Sequence, residues 1–302
     1  MITLKLALDW TPNINHIGFF VSQELGYYKE EGLQVELLNP GDDNYATTPA
    51  KKVEQGEADM ALCPFESIIS YRTKKQAFDA VGIATIFQED LSAIVVLEDS
   101  PVKRPSDLDG KTYASYKARY EDEIVRQMII NDGGKGEMHL TYPDKLGIWA
   151  TLLSKKYDST WIFMNWEGVQ AQNNGIQLRT FRLSNYGIPY GYSPILMASK
   201  SAVDHSKEAY SSFLGASKKG FAYAMENPEK AAHILKPFVS KTDADIDLVK
   251  SQKESLVAYG PMHQWGKMEK SRVNGFLKWL MENNLETTPL VYEDLVYQGL
   301  EY

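Results

Sequence analysis

Short apolar runs recur along the chain with helical patterns between them, and this alternation constrains the fold more than any other feature. Residues 2, 4, 6 and 8 are Ile, Leu, Leu and Leu in strict alternation, the period of a strand with one face turned inward. Further β-like runs at 35–38, 59–62, 80–87 and 91–97 are separated by helical segments around 49–55 and 64–74. Strands alternating with helices read as βαβ units around a largely parallel sheet. Pro101 and Pro105 break the pattern, and a second α/β series begins at Thr112, with helices at about 121–131 and near 145–154 and strands at 161–164 and 176–183. After a turn-rich stretch at 184–191 comes an apolar run at 194–198. From Ser206 the chain reads as nearly continuous helix, broken at Asn227-Pro228, Pro237 and Gly260-Pro261. No internal repeat or low-complexity stretch is visible in the sequence. With 302 residues the chain suggests two lobes more readily than one.

Charge and composition exclude several function classes. A net charge of −8 argues against a nucleic-acid surface, which needs a basic stripe. No apolar run approaches the roughly 20 residues that span a bilayer. Histidines 16, 139, 205, 233 and 263 lack metal-ligand spacing, and the generic signatures of zinc enzymes, serine hydrolases, P-loops and dinucleotide folds are missing. Cys63 is the single cysteine, so no internal disulfide can report a compartment. Met1 stands directly before the first strand without a basic and apolar leader. A native Met1 implies a cytoplasmic protein, the expectation mildly favoured here; removal of a leader implies a periplasmic or cell-surface one.

Candidate site residues gather where strands end, the place at which α/β folds bind ligands. Asp9 and Trp10 follow the first strand directly. Trp10 can stack on a flat ring while Asp9 accepts N–H donors from it, or Trp10 is core and Asp9 a helix cap. Asn13 can make the turn and His16 can face inward without touching a ligand. A second group, Asn165 and Glu167, follows the apolar run that starts at Trp161; Glu167 can equally begin a helix at its positive dipole end. In the third, spanning 113–122, Ser115, backbone N–H groups, Lys117 and Arg119 can meet an anion, while Tyr116 and Tyr120 can line an aromatic pocket. Tyr190 and Tyr192, near Pro189 and Pro194, form a fourth group that serves either a ligand or lobe packing.

The run Leu8-Asp9-Trp10-Thr11-Pro12-Asn13 with His16 and Gly18, followed by residues 26–35, resembles the thiamine-pyrimidine branch of the NMT1/THI5-like and SsuA-like family. The likeness continues through 55–60, 107–111 and the C-terminal helices. It implies an α/β, two-lobed type II periplasmic-binding-protein-like fold with two chain crossovers and a helical C-terminal region. Residues 1–95 plus 195–302 would form one lobe and 96–194 the other, with the ligand in the cleft between them. Family members include solute-binding proteins that capture a formylaminopyrimidine thiamine precursor and fungal enzymes that make the pyrimidine from pyridoxal phosphate. By this resemblance Trp10 and Asp9 hold an aminopyrimidine, and Glu167 falls where the family places a glutamate in the cleft. The synthase lysine and histidine positions are Cys63 and Ser67 here, the glycine-rich phosphate stretch is absent from 113–122, and the cysteine-rich stretch is absent from 186–194.

The resulting expectation is a cofactor-free binding protein for a thiamine-precursor pyrimidine of hydroxymethyl or formylaminomethyl type, with an ABC permease as partner if the chain is exported. Two alternatives stand beside it. One is a divergent synthase using pyridoxal phosphate and iron, with Glu66, Glu167 or His16 replacing the usual groups. The other is a binding protein for a different aromatic, such as a flavin precursor.

Overall fold

The computed structural model describes residues 1–302, which divide into two compact units. Unit 1 comprises Met1–Asp90, Gly191–Asn274 and Leu290–Tyr302; unit 2 comprises Leu91–Tyr190 and Gly275–Pro289.

Unit 1 is built on strands β1 (Ile2–Ala7), β2 (Leu33–Leu38), β3 (Met60–Cys63), β4 (Ala80–Thr85) and β10 (Ile195–Ser199). Their order is β2-β1-β3-β10-β4. β1 runs parallel to β2, with Ile2 opposite Leu33 and Ala7 opposite Leu38, and parallel to β3; β10 is antiparallel to β3 and β4. Leu4, Leu6 and Leu8 are buried as the alternation requires, whereas Ile2 at the start of the strand is exposed. β3 and β4 are buried at every residue, as strands covered on both faces must be.

Unit 2 contains β5 (Ser92–Leu97), β6 (Thr112–Ala114), β7 (His139–Thr141), β8 (Ser159–Phe163) and β9 (Leu178–Phe181), ordered β7-β6-β8-β5-β9. β6 is parallel to β7 and β8, and β5 is antiparallel to β8 and β9. The two sheets therefore share one plan: three parallel strands, then the strand by which the chain enters the unit, running the other way, then an edge strand. The architecture repeats although the sequence does not.

The chain passes from unit 1 to unit 2 after Asp90 and returns after Tyr190, a few residues before the positions expected from the sequence. Residues Gly275–Pro289, expected with the helical region of the first lobe, group with unit 2. Their side chains decide this. Phe276 packs edge-on to Tyr190 at 5.8 Å, and the Glu286 carboxylate accepts the Tyr120 hydroxyl at 2.6 Å and the Arg119 guanidinium at 3.0 Å.

One helix crossing fixes the entry into the unit 1 site. The helix Ile17–Glu24 lies on the helix Lys207–Glu226 at a place where no side chain fits. A Cβ on Gly220 would stand 2.1 Å from the Gly18 carbonyl oxygen, and one on Gly18 would stand 2.3 Å from the Phe221 ring. Ser22 Oγ donates within this contact, to Gly18 O at 2.8 Å or Ala216 O at 2.9 Å. Backbones this close hold the N-terminus of the first helix, and with it His16, against the strand ends.

Candidate functional site

Because β1, β2 and β3 are parallel, their C-terminal ends share one edge of the sheet, and the segments that leave it start at Leu8, Asn39 and Pro64. Asp9 and Trp10 leave β1. Asp9 Oδ1 lies 2.7 Å from His16 Nε2, while His16 Nδ1 accepts the Asn13 N–H at 3.2 Å. An imidazole nitrogen that accepts cannot carry the proton, so the proton sits on Nε2 and points at Asp9. His16 is fully buried and orients the carboxylate.

Asn13 is committed to its own turn: Oδ1 accepts the Asn15 N–H at 2.8 Å and Nδ2 donates to Thr11 O at 3.1 Å. Asn13 thus makes the turn and His16 faces inward.

Tyr45, in the segment leaving β2, was not a candidate from the sequence. Its hydroxyl donates to the Asp9 carbonyl, and its ring stands 6.0 Å from that of Trp10 at 53°. Burial, then the Asp9 charge, pushes the Tyr45 hydroxyl well above the ordinary tyrosine range, so it remains a donor. The turn composition of Asn39-Pro40-Gly41 after a strand is the signal that could have pointed here.

From β3 come Cys63 and, in the first turn of the helix Phe65–Thr73, Glu66; both are buried. Burial drives the Cys63 thiol far above its usual range, a rise partly offset by its hydrogen bond with Ser67. Burial of this kind disfavours the thiolate, the form in which a cysteine attacks.

Tyr192 is engaged in packing. The Arg272 guanidinium lies over its ring at 4.0 Å and donates to the carbonyls of Gln88 and, at 2.7 Å, Gly191, while the Tyr192 hydroxyl accepts the Glu269 N–H at 3.0 Å.

Unit 2 presents the corresponding edge, where segments leave β6 at Ser115, β7 at Tyr142 and β8 at Met164. After β8 the chain forms one wide π-helical turn, Met164–Gly168, before the helix Val169–Asn173. Such turns recur at functional sites because the extra residue re-aims side chains. Here it buries Asn165 and Glu167, and Glu167 Oε2 accepts the Phe163 N–H at 3.1 Å. Tyr190 lies with its ring 5.2 Å from that of Trp161 and 5.8 Å from that of Phe276, so it belongs to an aromatic cluster.

The loop after β6 closes on its own carboxylate. Glu121 Oε1 accepts the Tyr113 hydroxyl at 2.8 Å and the Tyr116 N–H at 3.0 Å, and Oε2 accepts the Ala118 N–H at 3.0 Å. Burial nevertheless holds the Glu121 carboxyl above its usual range, against the pull of these donors. Ser115 Oγ accepts the Lys117 N–H at 2.9 Å within the same loop. Arg119, expected to meet an anion, meets one of this chain: Glu286. Burial tends to raise the Glu286 carboxyl, but the Tyr120 hydroxyl and the N–H groups of Thr287 and Thr288 outweigh it and bring it down to about 2. Lys145, in the segment leaving β7, was also missed from sequence; burial lowers its ammonium from the ordinary lysine range, and the Glu121 charge opposes that change.

Two α/β units of one plan, with acids and aromatics at the C-terminal ends of their parallel strands, define the fold of the periplasmic binding proteins. The chain belongs to the NMT1/THI5-like family, whose model matches residues 13–231. It is 24% identical over 299 residues to the formylaminopyrimidine-binding protein of Halalkalibacterium halodurans, covering 97% of this chain and 88% of that protein. It is 23% identical over 235 residues to the 4-amino-5-hydroxymethyl-2-methylpyrimidine phosphate synthase of Legionella pneumophila, covering 77% of this chain and 72% of that one. In structure it resembles the alkanesulfonate-binding protein SsuA of Xanthomonas axonopodis, with a TM-score of 0.72 at 8% identity over 98% of both chains. No helix is long and apolar enough to cross a membrane.

The residues do not fit the pyridoxal phosphate that the resemblance implies for the synthase members. The resemblance puts Cys63, a buried thiol, where those members have the aldimine lysine and Ser67, without an imidazole, where they have the histidine, and the N–H groups of Tyr116 and Ala118, in the stretch where it implies a phosphate loop, already hold Glu121.

Proposed function

We propose that this protein binds a small flat heteroaromatic, a thiamine-precursor pyrimidine of the hydroxymethyl or formylaminomethyl type, and acts in uptake or salvage of that precursor. The observation that carries this reading is the Asp9–His16 pair beside the Trp10–Tyr45 aromatic pair at the end of β1. A ring amino group donates to a carboxylate that a buried imidazole has already oriented, and the indole supplies a stacking face. Glu167, Asn165 and Glu66 are kept as further ligand candidates in this reading. Catalysis through pyridoxal phosphate is not part of it, since Cys63 offers no amine. Where the chain is exported, an ABC permease is the partner.

Differential scanning calorimetry tests the proposal. Hydroxymethyl- and formylaminomethyl-pyrimidines at about a hundred times Kd should stabilise the protein by roughly 2.7 kcal/mol. Alkanesulfonates and nitrate should leave the melting temperature unchanged, because the Asp9 carboxylate repels them. Stabilisation by the anions and none by the pyrimidines sinks the reading.

A further inference from the structure

The segment that leaves β2 is bent back by two residues in succession. Asn44 and Tyr45 have φ of +52° and +60°, the left-handed region, which a bulky side chain such as tyrosine occupies only where its surroundings hold it there. The Tyr45 N–H donates to Pro40 O at 2.8 Å and closes the bend. The bend carries this segment against the one that leaves β1. Gly41 comes so near that an added Cβ would stand 3.5 Å from Thr11 Cγ2, and the Tyr45 hydroxyl donates to the Asp9 carbonyl. That carbonyl belongs to the peptide group joining Asp9 to Trp10, so a donor on it fixes the plane from which both side chains depart. The Tyr45 and Trp10 rings meet at 6.0 Å and 53°, within the roughly 4.5–7 Å of direct aromatic contact, so no flat ligand enters between them. Tyr45 stands behind Trp10 rather than across a bound ring from it.

We infer that Tyr45 is a positioning residue of the unit 1 site: held left-handed behind the Asp9–Trp10 peptide, it sets the carboxylate and the indole for the ligand ring without touching that ring. The inference rests on the pyrimidine reading above for the identity of the ring. A carboxylate and an indole already in place bind more tightly than the same groups on a loop that the ligand must order. Backbone strain fits this role, since a left-handed tyrosine is disfavoured by itself and persists where the surrounding contacts over-determine it.

The test is isothermal calorimetry of the full chain with hydroxymethylpyrimidine. Tyr45→Phe keeps the ring and removes only the donor, and it should weaken binding by roughly three- to tenfold, the scale of one neutral hydrogen bond. The distinguishing readout is coupling to Asp9: in an Asp9→Asn background the same change should cost under about twofold, because the group that Tyr45 sets is already weakened. Asn44, which is exposed, gives an arm that acts through the backbone alone. Asn44→Gly keeps the left-handed turn and should bind like the native protein, whereas Asn44→Val opposes that turn and should weaken binding at least about threefold. Native affinity in Tyr45→Phe or in Asn44→Val overturns the inference and leaves the pyrimidine reading standing. So does an equal loss from Tyr45→Phe in both backgrounds, which would put the hydroxyl on the ligand itself. If the native protein binds no pyrimidine, that reading fails and Trp10 decides alone. Its emission, taken as the difference between each protein and its Trp10→Phe form, should be quenched by acrylamide more readily in Tyr45→Phe than in the native protein, and equal quenching rejects the inference.

Discussion

The two units follow one strand plan yet hold their ligand-type edges in place by different physics. In unit 1 the segment after β1 is fixed by apolar close approach, with Gly18 and Gly220 allowing two helices to touch, and by one buried imidazole that orients Asp9. In unit 2 the segment after β6 is fixed by two carboxylates, Glu121 and Glu286, which between them accept backbone N–H groups, two tyrosine hydroxyls and a guanidinium. The fold supplies strand ends, and each unit chooses its own way of making them rigid. It follows that steric changes should damage unit 1, while loss of the Glu286 charge should damage unit 2.

The largest effect should come from Gly220→Ala. Its Cβ would fall 2.1 Å from both a backbone oxygen and Ser22 Oγ, so the two helices must separate, at a cost of roughly 3 kcal/mol or more. Gly215→Ala on the same helix meets nothing nearer than 3.8 Å and should instead stabilise by a few tenths to about 1 kcal/mol. Urea unfolding of both variants separates the cases, and equal midpoints would remove the steric half of the comparison.

Asp9→Asn comes next. It keeps the shape but ends the charge-assisted bonds to His16 and to a ring amino group, and should weaken pyrimidine binding by about 2–3 kcal/mol. Calorimetry on the folded variant measures this; unchanged affinity means that the acid only caps the turn.

Trp10→Ala should weaken the same binding by about 1–3 kcal/mol, the scale of stacking on a flat ring, while the unfolding midpoint stays near that of the native protein. A core role would reverse the pattern, with a stability loss of roughly 3–5 kcal/mol and affinity preserved.

The smallest effect is that of acid on unit 2. Glu286 is brought to about 2 from the ordinary glutamate value of 4.5, so its contribution to stability is complete above about pH 4.5 and fades as the pH falls toward 2. With Arg119 half in solvent, that contribution is on the order of 1–2 kcal/mol. Glu286→Gln should flatten this limb of the stability–pH curve. Glu121 has the opposite sign: held above its usual range, it favours folding at low pH and loses that contribution as the pH rises through its folded value. Hydrogen exchange across pH 2–5 that showed protection in unit 1 failing before unit 2 in the native protein would contradict the assignment of these carboxylates.

Much of this was legible because it depends on local pattern. Alternation placed β1, the βαβ rhythm placed β3 and β4, and Asp9 with Trp10 stood out because an acid and an indole directly follow a strand. β7, three residues long, left no readable period. The assignment of Gly275–Pro289 to unit 2 and the role of Glu121 turn on partners that sequence spacing does not reveal: Glu286 and Tyr120 are 166 residues apart. Tyr45 reaches Asp9 from 36 positions away.

The sequence by itself determined the elements and the chemistry available at their ends, since periodicity, turn residues and side-chain type are properties of neighbours along the chain. Only the tertiary structure decided which partners inside the protein those groups find. Arg119, Tyr192 and the N–H groups of the 115–121 loop carry binding chemistry in the sequence, but in the fold each is satisfied by a group of the chain itself. The physical reason is that a buried polar group must find a partner, and which partner it finds depends on packing between residues far apart in sequence.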